Sequence, residues 1–275
     1  MNLTFFAKPQ HYFKRGTVTS RNPHLFRTSS LVRGKQVADY LGCKYNPEDG
    51  YENDICVYVK PLPSDIIGDN SYIDVIDGFH LFKLLENRPD IGIIFCSQFH
   101  YLKFKDQFRN KSVMIPHHHC NFERLVRPKR EVKTVGYLGS IRGIDLDIPE
   151  ITKRFKDIGL DFITNYHFET REDVMGFYKK IDIQLVWKKD NLPGVTPLKI
   201  TNAASFGIPT VSKQSENFQE IEGFYIPAEP DVDSLIAEVE KLKDQDYYNS
   251  WSNKLIKEME RFHISNTTKL YGELL

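Results

Sequence analysis

The chain lacks net charge: across 275 residues, 37 Lys plus Arg offset 37 Asp plus Glu. That balance weighs against a protein held to nucleic acid or an anionic bilayer by bulk electrostatics, while leaving room for a local basic site. Cysteine is scarce. Cys43, Cys56, Cys96 and Cys120 show no paired metal-ligand spacing and are too few for a disulfide scaffold. Reduced thiols in a cytoplasmic protein are the expectation. No apolar run approaches the roughly 18 residues needed to span a bilayer, so no transmembrane segment is expected. The polar, aromatic N-terminus also lacks the apolar core of a signal peptide. Low-complexity segments and short repeats are missing as well.

What remains is an ordinary globular composition, 40% hydrophobic and 13% aromatic, long enough for one large domain or two small ones. Strand-like and helix-like segments alternate. Strands are expected at 2–7, 55–60, 72–77, 91–97 and 112–116. A helix is expected over 30–42, with Ser30 as cap and Gly42 as stop, and another over 79–87. The pattern restarts at 134–140 after the polar stretch "HHHCNFERLVRPKREVK" (117–133), which reads as a linker. Helices near 148–157, 170–179 and 231–243 then alternate with strands at 160–165, 181–187, 208–212 and 224–226. Residues 246–274 are mostly helical. Continuous apolar strands separated by helices indicate parallel sheets covered on both faces. The fold class is therefore α/β, with two Rossmann-like doubly wound parallel-sheet domains. The first spans 1–120, a linker 121–133, and the second 134–245, followed by C-terminal helices over 246–275.

The stretch "TPLKITNAASFGIPTV" (196–211) reads as a helix with both ends marked. Thr196 suits the N-cap and Pro197 the first helical position. Gly207 suits the left-handed residue after the last turn, and Pro209 prevents the helix resuming. Lys199 is the odd member, because a first-turn cation opposes the helix dipole. It is either solvated or shares an anionic ligand with the free N–H groups of Leu198 and its neighbours. In "YLGSIRGID" (137–145), Gly139 and Gly143 allow close backbone approach to a ligand. Ser140 lies in the same turn, and Arg142 offers a planar fork suited to phosphate oxygens. Both cations fall at one edge of the second sheet, where open α/β sheets bind ligands.

Other clusters carry weaker signals. Asp145 and Asp147 form an Asp-x-Asp pair that either binds metal or precedes a helix, the latter being preferred. In "HHHC" (117–120) an extended backbone puts only His117 and His119 on one face, against a zinc site. The run Arg124, Arg127, Lys129, Arg130 and Lys133 reads as a solvated linker. Asp77 and His80, at the end of a first-domain strand, suit acceptor binding or proton transfer, or Asp77 caps the next helix. Ser29, Ser30 and Arg33 make a further anion- or hydroxyl-binding corner.

"P-L-K-I-T-N-A-A-S-F-G-I-P-T-V" resembles the Pro-x-Lys-x-x-Glu-x-x-x-x-Gly-x-Pro-x-Val signature of GT-B glycosyltransferases, in particular the family 4 kind. "VGYLGSIRGID" is similar to the first strand and glycine turn of their donor-binding domain. "IDVIDGF", "IIFCSQFHYL" and "SVMIP" are similar to strands of their N-terminal domain. The resemblance implies a C-terminal helix crossing back onto the first domain. It also implies a nucleotide-sugar donor, such as a UDP-sugar, bound as substrate by Gly139, Ser140, Arg142, Thr196, Pro197, Leu198, Lys199 and Asn202. Arg142 and Lys199 would neutralise the departing diphosphate, with no metal and no separate cofactor. Two family glutamates are replaced by Gly194 and Asn202; an Asn at the second position can still hydrogen-bond a ribose hydroxyl.

These features imply a sugar transferase with the donor on the second domain, the acceptor on the first and chemistry in the cleft between. The acceptor would be a glycan, a lipid-linked saccharide or a modified nucleobase; nucleic acid is disfavoured by the zero net charge. A catalytically silent nucleotide-sugar-binding module and a nucleotide-sugar epimerase are the alternatives.

Overall fold

Runs of β-branched and aromatic residues form central strands that are buried on both faces, as parallel sheets require, while edge strands stay partly exposed. The structure, a computed structural model, describes residues 2–7, 29–62, 65–168, 170–188 and 196–275, apart from the Arg142 side chain. Two units divide the chain: residues 1–118 with 264–275, and residues 119–263.

In the first unit, β1 (Leu3–Ala7), β2 (Lys44–Tyr45), β3 (Ile55–Val59), β4 (Ser71–Asp74), β5 (Gly92–Phe95) and β6 (Ser112–Met114) form one sheet. All pairings are parallel, in the order β2-β1-β3-β4-β5-β6. The helix expected over 30–42 begins with a π-helical turn at Ser30–Lys35 and continues as α1 (Gln36–Leu41). Ser30 lies inside that turn instead of capping it: Ser29 is the cap residue, and it makes no side-chain cap bond. Gly42 stops α1 with φ +67°, the left-handed conformation that glycine adopts without penalty. A short helical turn and α2 (Phe82–Asn87) follow β4. Then comes α3 (Gln98–Phe104), capped by Ser97 Oγ accepting from His100 N–H at 3.3 Å. Both α3 and the two-residue β2 are absent from the sequence reading, being too short or too aromatic to show a clean period.

The second unit contains β7 (Thr134–Leu138), β8 (Asp161–Asn165), β9 (Ile183–Val186), β10 (Thr210–Lys213) and β11 (Ile226–Ala228). These are again all parallel, in the order β11-β10-β9-β7-β8. Helices α4 (Ile148–Asp157), α5 (Arg171–Tyr178), α6 (Leu198–Ser205), α7 (Val232–Lys241) and α8 (Gln245–Met259) complete it. Val135, Ile183, Leu185 and Val211 join Ile151, Phe155, Leu235 and Val239 in the largest apolar cluster. Across the sheet, Ile200 and Ala204 of α6 pack with Leu255 and Met259 of α8.

This packing keeps α8 in the second unit. The return to the first therefore starts at Ile264, later than the residue 246 expected from sequence. It consists of α9 (Ile264–Thr267) and 3-10 turns over Thr268–Leu274. Tyr271 and Leu274 join the first-unit core, with the Tyr271 ring edge-on to Phe5 at 5.4 Å.

The stretch expected to be a solvated linker is built into structure. Asn121 is fully buried, and its amide binds Leu125 N–H, Leu125 C=O and Ser205 C=O. Arg127 donates from Nε to Asp182 Oδ1 at 2.8 Å and lies over the Tyr248 ring, 4.6 Å from its centre. Asp182 Oδ2 accepts from the Lys133 and Thr134 amides. Burial works to raise the Asp182 carboxyl, but the Lys133 amide and the Arg127 guanidinium hold it below the usual range.

Candidate functional site

In the second sheet β7 is flanked by β8 on one side and β9 on the other, so the strand order reverses at the β7–β9 pair. Ligands of doubly wound sheets bind beyond the carboxyl ends at such a reversal. Gly139 follows β7 there, and Lys188 follows β9 by two residues. Lys199 comes from the first turn of α6.

Lys199 and Gly139 fit against each other. The Lys199 ammonium lies over the Tyr137 ring, 4.8 Å from its centre, and a Cβ at residue 139 would stand 2.1 Å from Lys199 Nζ. Gly139 also has φ +149°, a conformation that strains any L side chain. Its N–H donates to Asn165 C=O at 3.0 Å, which fixes the turn. Tyr137 Oη donates to Ser140 C=O at 2.9 Å, and burial pushes its phenol up to about 12. The ring under Lys199 is thus a neutral donor with its proton already placed.

Among the described residues Lys199 makes no ion pair. Burial, and the positive charge of Lys188, lower its ammonium to about 7. Lys188 is itself lowered by burial, and it too has no carboxylate partner among the described residues. Two partly buried lysines that repel each other, with a glycine turn alongside, make a cradle for a polyanion. The first turn of α6 adds to it, because no side chain caps its N–H groups. Thr196, placed at the N-cap by sequence, precedes the helix, and Pro197 takes the cap position. Leu198 opens the helix. The backbone of Ser140 and Arg142 runs through the turn beside Gly139, where Gly143 N–H donates to Ser140 C=O at 2.9 Å. The Arg142 side chain and Gly194 lie outside the described residues.

Asn202 is engaged differently from the sequence expectation. It is 8% exposed, and its Oδ1 accepts from the Cys120 amide at 2.8 Å. The Tyr178 hydroxyl donates to Lys199 C=O at 3.3 Å. Reading the sequence missed Lys188, although "LVWKKD" marks charge directly after an apolar strand.

In the first unit, Asp77 and His80 are both exposed beyond the carboxyl end of β4. Asp77 does not cap the following turn, which starts at Gly78; it pairs with Lys60 at 2.5 Å. Lys60 and Ile76, after β3 and β4, adopt φ +45° and +52°. Non-glycine residues in that region carry strain, which tends to collect at functional edges. The corner expected at Ser29, Ser30 and Arg33 is closed. The Arg33 side chain is buried and donates to Asp74 at 2.6 Å and Pro116 C=O at 2.7 Å.

The metal readings find no support in the side-chain arrangement. Asp145 pairs with Lys213 at 2.9 Å, and Asp147 caps α4 by accepting from Glu150 N–H at 3.0 Å. His117, His118 and His119 are buried, with His118 against Gln36 at 2.9 Å. Among the described residues no group of three His, Cys, Asp or Glu could hold a metal ion. No described helix is long and apolar enough to cross a membrane.

No family model matches the chain, and no curated protein matches it. Solved structures do. TarM matches with a TM-score of 0.53 at 14% identity, over 82% of this chain and 51% of its own. The pneumococcal O-GlcNAc transferase GtfA, solved in complex with UDP and GlcNAc, matches with a TM-score of 0.54 at 10% identity. That match covers 81% of this chain and 52% of GtfA. The chain thus spans about half the length of these structures. Two all-parallel doubly wound units, with the C-terminal residues rejoining the first, give this chain the GT-B fold of glycosyltransferases.

Proposed function

We propose that the protein is a glycosyltransferase whose second unit holds a nucleotide-diphosphate sugar and whose first unit presents a hydroxyl acceptor. One observation carries the reading: Lys199 and Lys188 sit at the reversal of the second sheet with no carboxylate between them among the described residues. A buried cation without a counter-charge is costly, and a diphosphate supplies the missing charge.

In the transfer step the bond between the anomeric carbon and the diphosphate oxygen breaks, and a bond from that carbon to the acceptor oxygen forms. The acceptor proton leaves with a base or with the diphosphate. Negative charge grows on the leaving diphosphate, where Lys199 and the first-turn N–H groups of α6 stabilise it. Arg142, in the turn that follows β7, is assigned to the same diphosphate. The ammonium groups fill the neutralising part a divalent cation would otherwise play, so transfer is expected to persist in chelator. Asp77 and His80 are assigned to the acceptor side.

The match to GtfA, which was solved with UDP and GlcNAc, supports a UDP-sugar as the first donor to try. The test is transfer or hydrolysis of a panel of nucleotide sugars over saccharide acceptors. Turnover in the wild type that collapses in Lys199→Met supports the assignment. Tight nucleotide binding with no turnover on any acceptor would favour a silent donor-binding module instead. The engagement of Asn202 with the Cys120 amide, which withdraws it from a ribose contact, supports that second reading.

A further inference from the structure

The two sheets end in four edge strands, and three of them are blunted. β2 is two residues long and opens with Lys44. β6 has three residues, and β11 has three with the exposed Pro227 in its middle. Short length, lysine and proline are the common means of keeping foreign strands off a sheet edge. β8 has none of these. Its five residues, Asp161-Phe162-Ile163-Thr164-Asn165, are exposed or half-buried throughout. Among the described residues β8 pairs only with β7. In the common doubly wound order a further strand occupies that flank.

Asp161 N–H donates to Lys133 C=O, and Asn165 C=O accepts from Gly139 N–H, so the odd residues of β8 bond to β7. Strand alternation turns the N–H and C=O of Phe162 and Thr164 outward. The helices over its two faces share one polarity. α4 lies against Phe162, with the Phe155 and Phe162 ring centres 5.5 Å apart, and runs from exposed Asp147 and Glu150 to exposed Lys153 and Lys156. α5 packs with Ile163 through Phe177, and runs from exposed Glu172 and Asp173 to exposed Lys179 and Lys180. The helix dipole favours that polarity in each helix by itself. An acidic peptide along β8 would meet lysines at one end and carboxylates at the other. An antiparallel copy of the same edge sets acid beside base at both ends and on both faces.

We propose that β8 is a docking edge for a second copy of this chain, the two β8 strands pairing antiparallel about Ile163 so that two five-stranded sheets become one. Phe162 of each copy then exchanges both backbone hydrogen bonds with Thr164 of the other, and Ile163 packs beside its counterpart. The interface is independent of what the second sheet binds.

The test combines sedimentation of the full chain between about 1 μM and 1 mM, the span expected of a small interface, with amide hydrogen exchange at both ends of that range. A monomer–dimer equilibrium is expected. The Phe162 and Thr164 amides should gain about tenfold protection or more at high concentration, while those of Asp161 and Ile163 stay unchanged. Thr164→Pro removes an outward donor where an edge strand tolerates proline. It should weaken dimerisation by about tenfold or more, because the two-fold axis removes two bonds at once. Should that variant fold poorly, Lys180→Glu provides a second route: it should weaken the dimer by about threefold to tenfold, and adding Glu172→Lys should restore it. A chain that stays monomeric across the range overturns the inference and leaves the edge to a different protein. A dimer whose Phe162 and Thr164 amides exchange at the monomer's rate also overturns it, because another face then joins the copies.

Discussion

Arg127, buried, and Lys199, partly buried, are both cations of the second unit, and they are treated in opposite ways. Arg127 has a carboxylate at 2.8 Å, an aromatic ring beneath it and backbone carbonyls at its remaining nitrogens. Lys199 has an aromatic ring, a glycine and another lysine. The first arrangement is complete without a ligand and holds a polar stretch of chain against the sheet. The second is stable only at a cost, which a bound anion would offset. Charge that is satisfied at rest serves the architecture; charge with no carboxylate among the described residues, at a sheet reversal, marks a candidate anion site.

The largest effect expected from breaking this contrast is on the satisfied side. Asp182→Ala would strand Arg127 and two backbone amides, lowering stability by about 3–5 kcal/mol in denaturant unfolding. Lys199→Met should do the reverse. It would cut sugar transfer by about 10²–10³-fold, the scale of one preorganised stabilising group, with the unliganded melting temperature unchanged or raised. Gly139→Ala comes next: its Cβ would displace the Lys199 ammonium and strain the turn. A loss of about 1–3 kcal/mol in stability, with weakened diphosphate binding, is expected from unfolding and titration calorimetry.

The pH dependence sharpens the same contrast. Lys199 titrates at about 7 in the fold and near the ordinary lysine value when unfolded. The unfolded chain therefore holds more protons between those values, so the penalty of burying Lys199 is fully present below pH 7. It is relieved as pH rises above 7, and stability from this group increases. Diphosphate binding needs the charged form and should weaken above pH 7, approaching about tenfold per unit. Lys199→Arg should flatten that slope. The smallest effect belongs to the first unit, where Asp77→Asn removes an exposed pair with Lys60 and should cost roughly 0–1 kcal/mol. A large loss of transfer in that variant at unchanged stability would place Asp77 at the acceptor.

Much of this was legible in the sequence, for identifiable reasons. Continuous apolar runs such as "IGIIFCS" announce parallel strands, and Gly207, at φ +74°, marks the end of α6 as its position suggests. Lys199 stands out because a first-turn cation is locally unfavourable. Long-range pairing is what one-dimensional reading could not supply. The basic stretch 124–133 looks solvated until Asp182, some fifty residues on, is seen to collect Arg127 and Arg130. Asn202 looks like a ligand residue until Cys120 is found on its amide. Lys188 carries only the local mark of charge after an apolar strand, and its meaning comes from the strand order that sets β9 beside β7.

The engagement of Asn202 has one more consequence. Its carboxamide oxygen accepts from the Cys120 amide, so its acceptor is already committed within the second unit. So long as position 202 is committed inward, its side chain is withheld from the ribose hydroxyls of any nucleotide bound at this sheet edge.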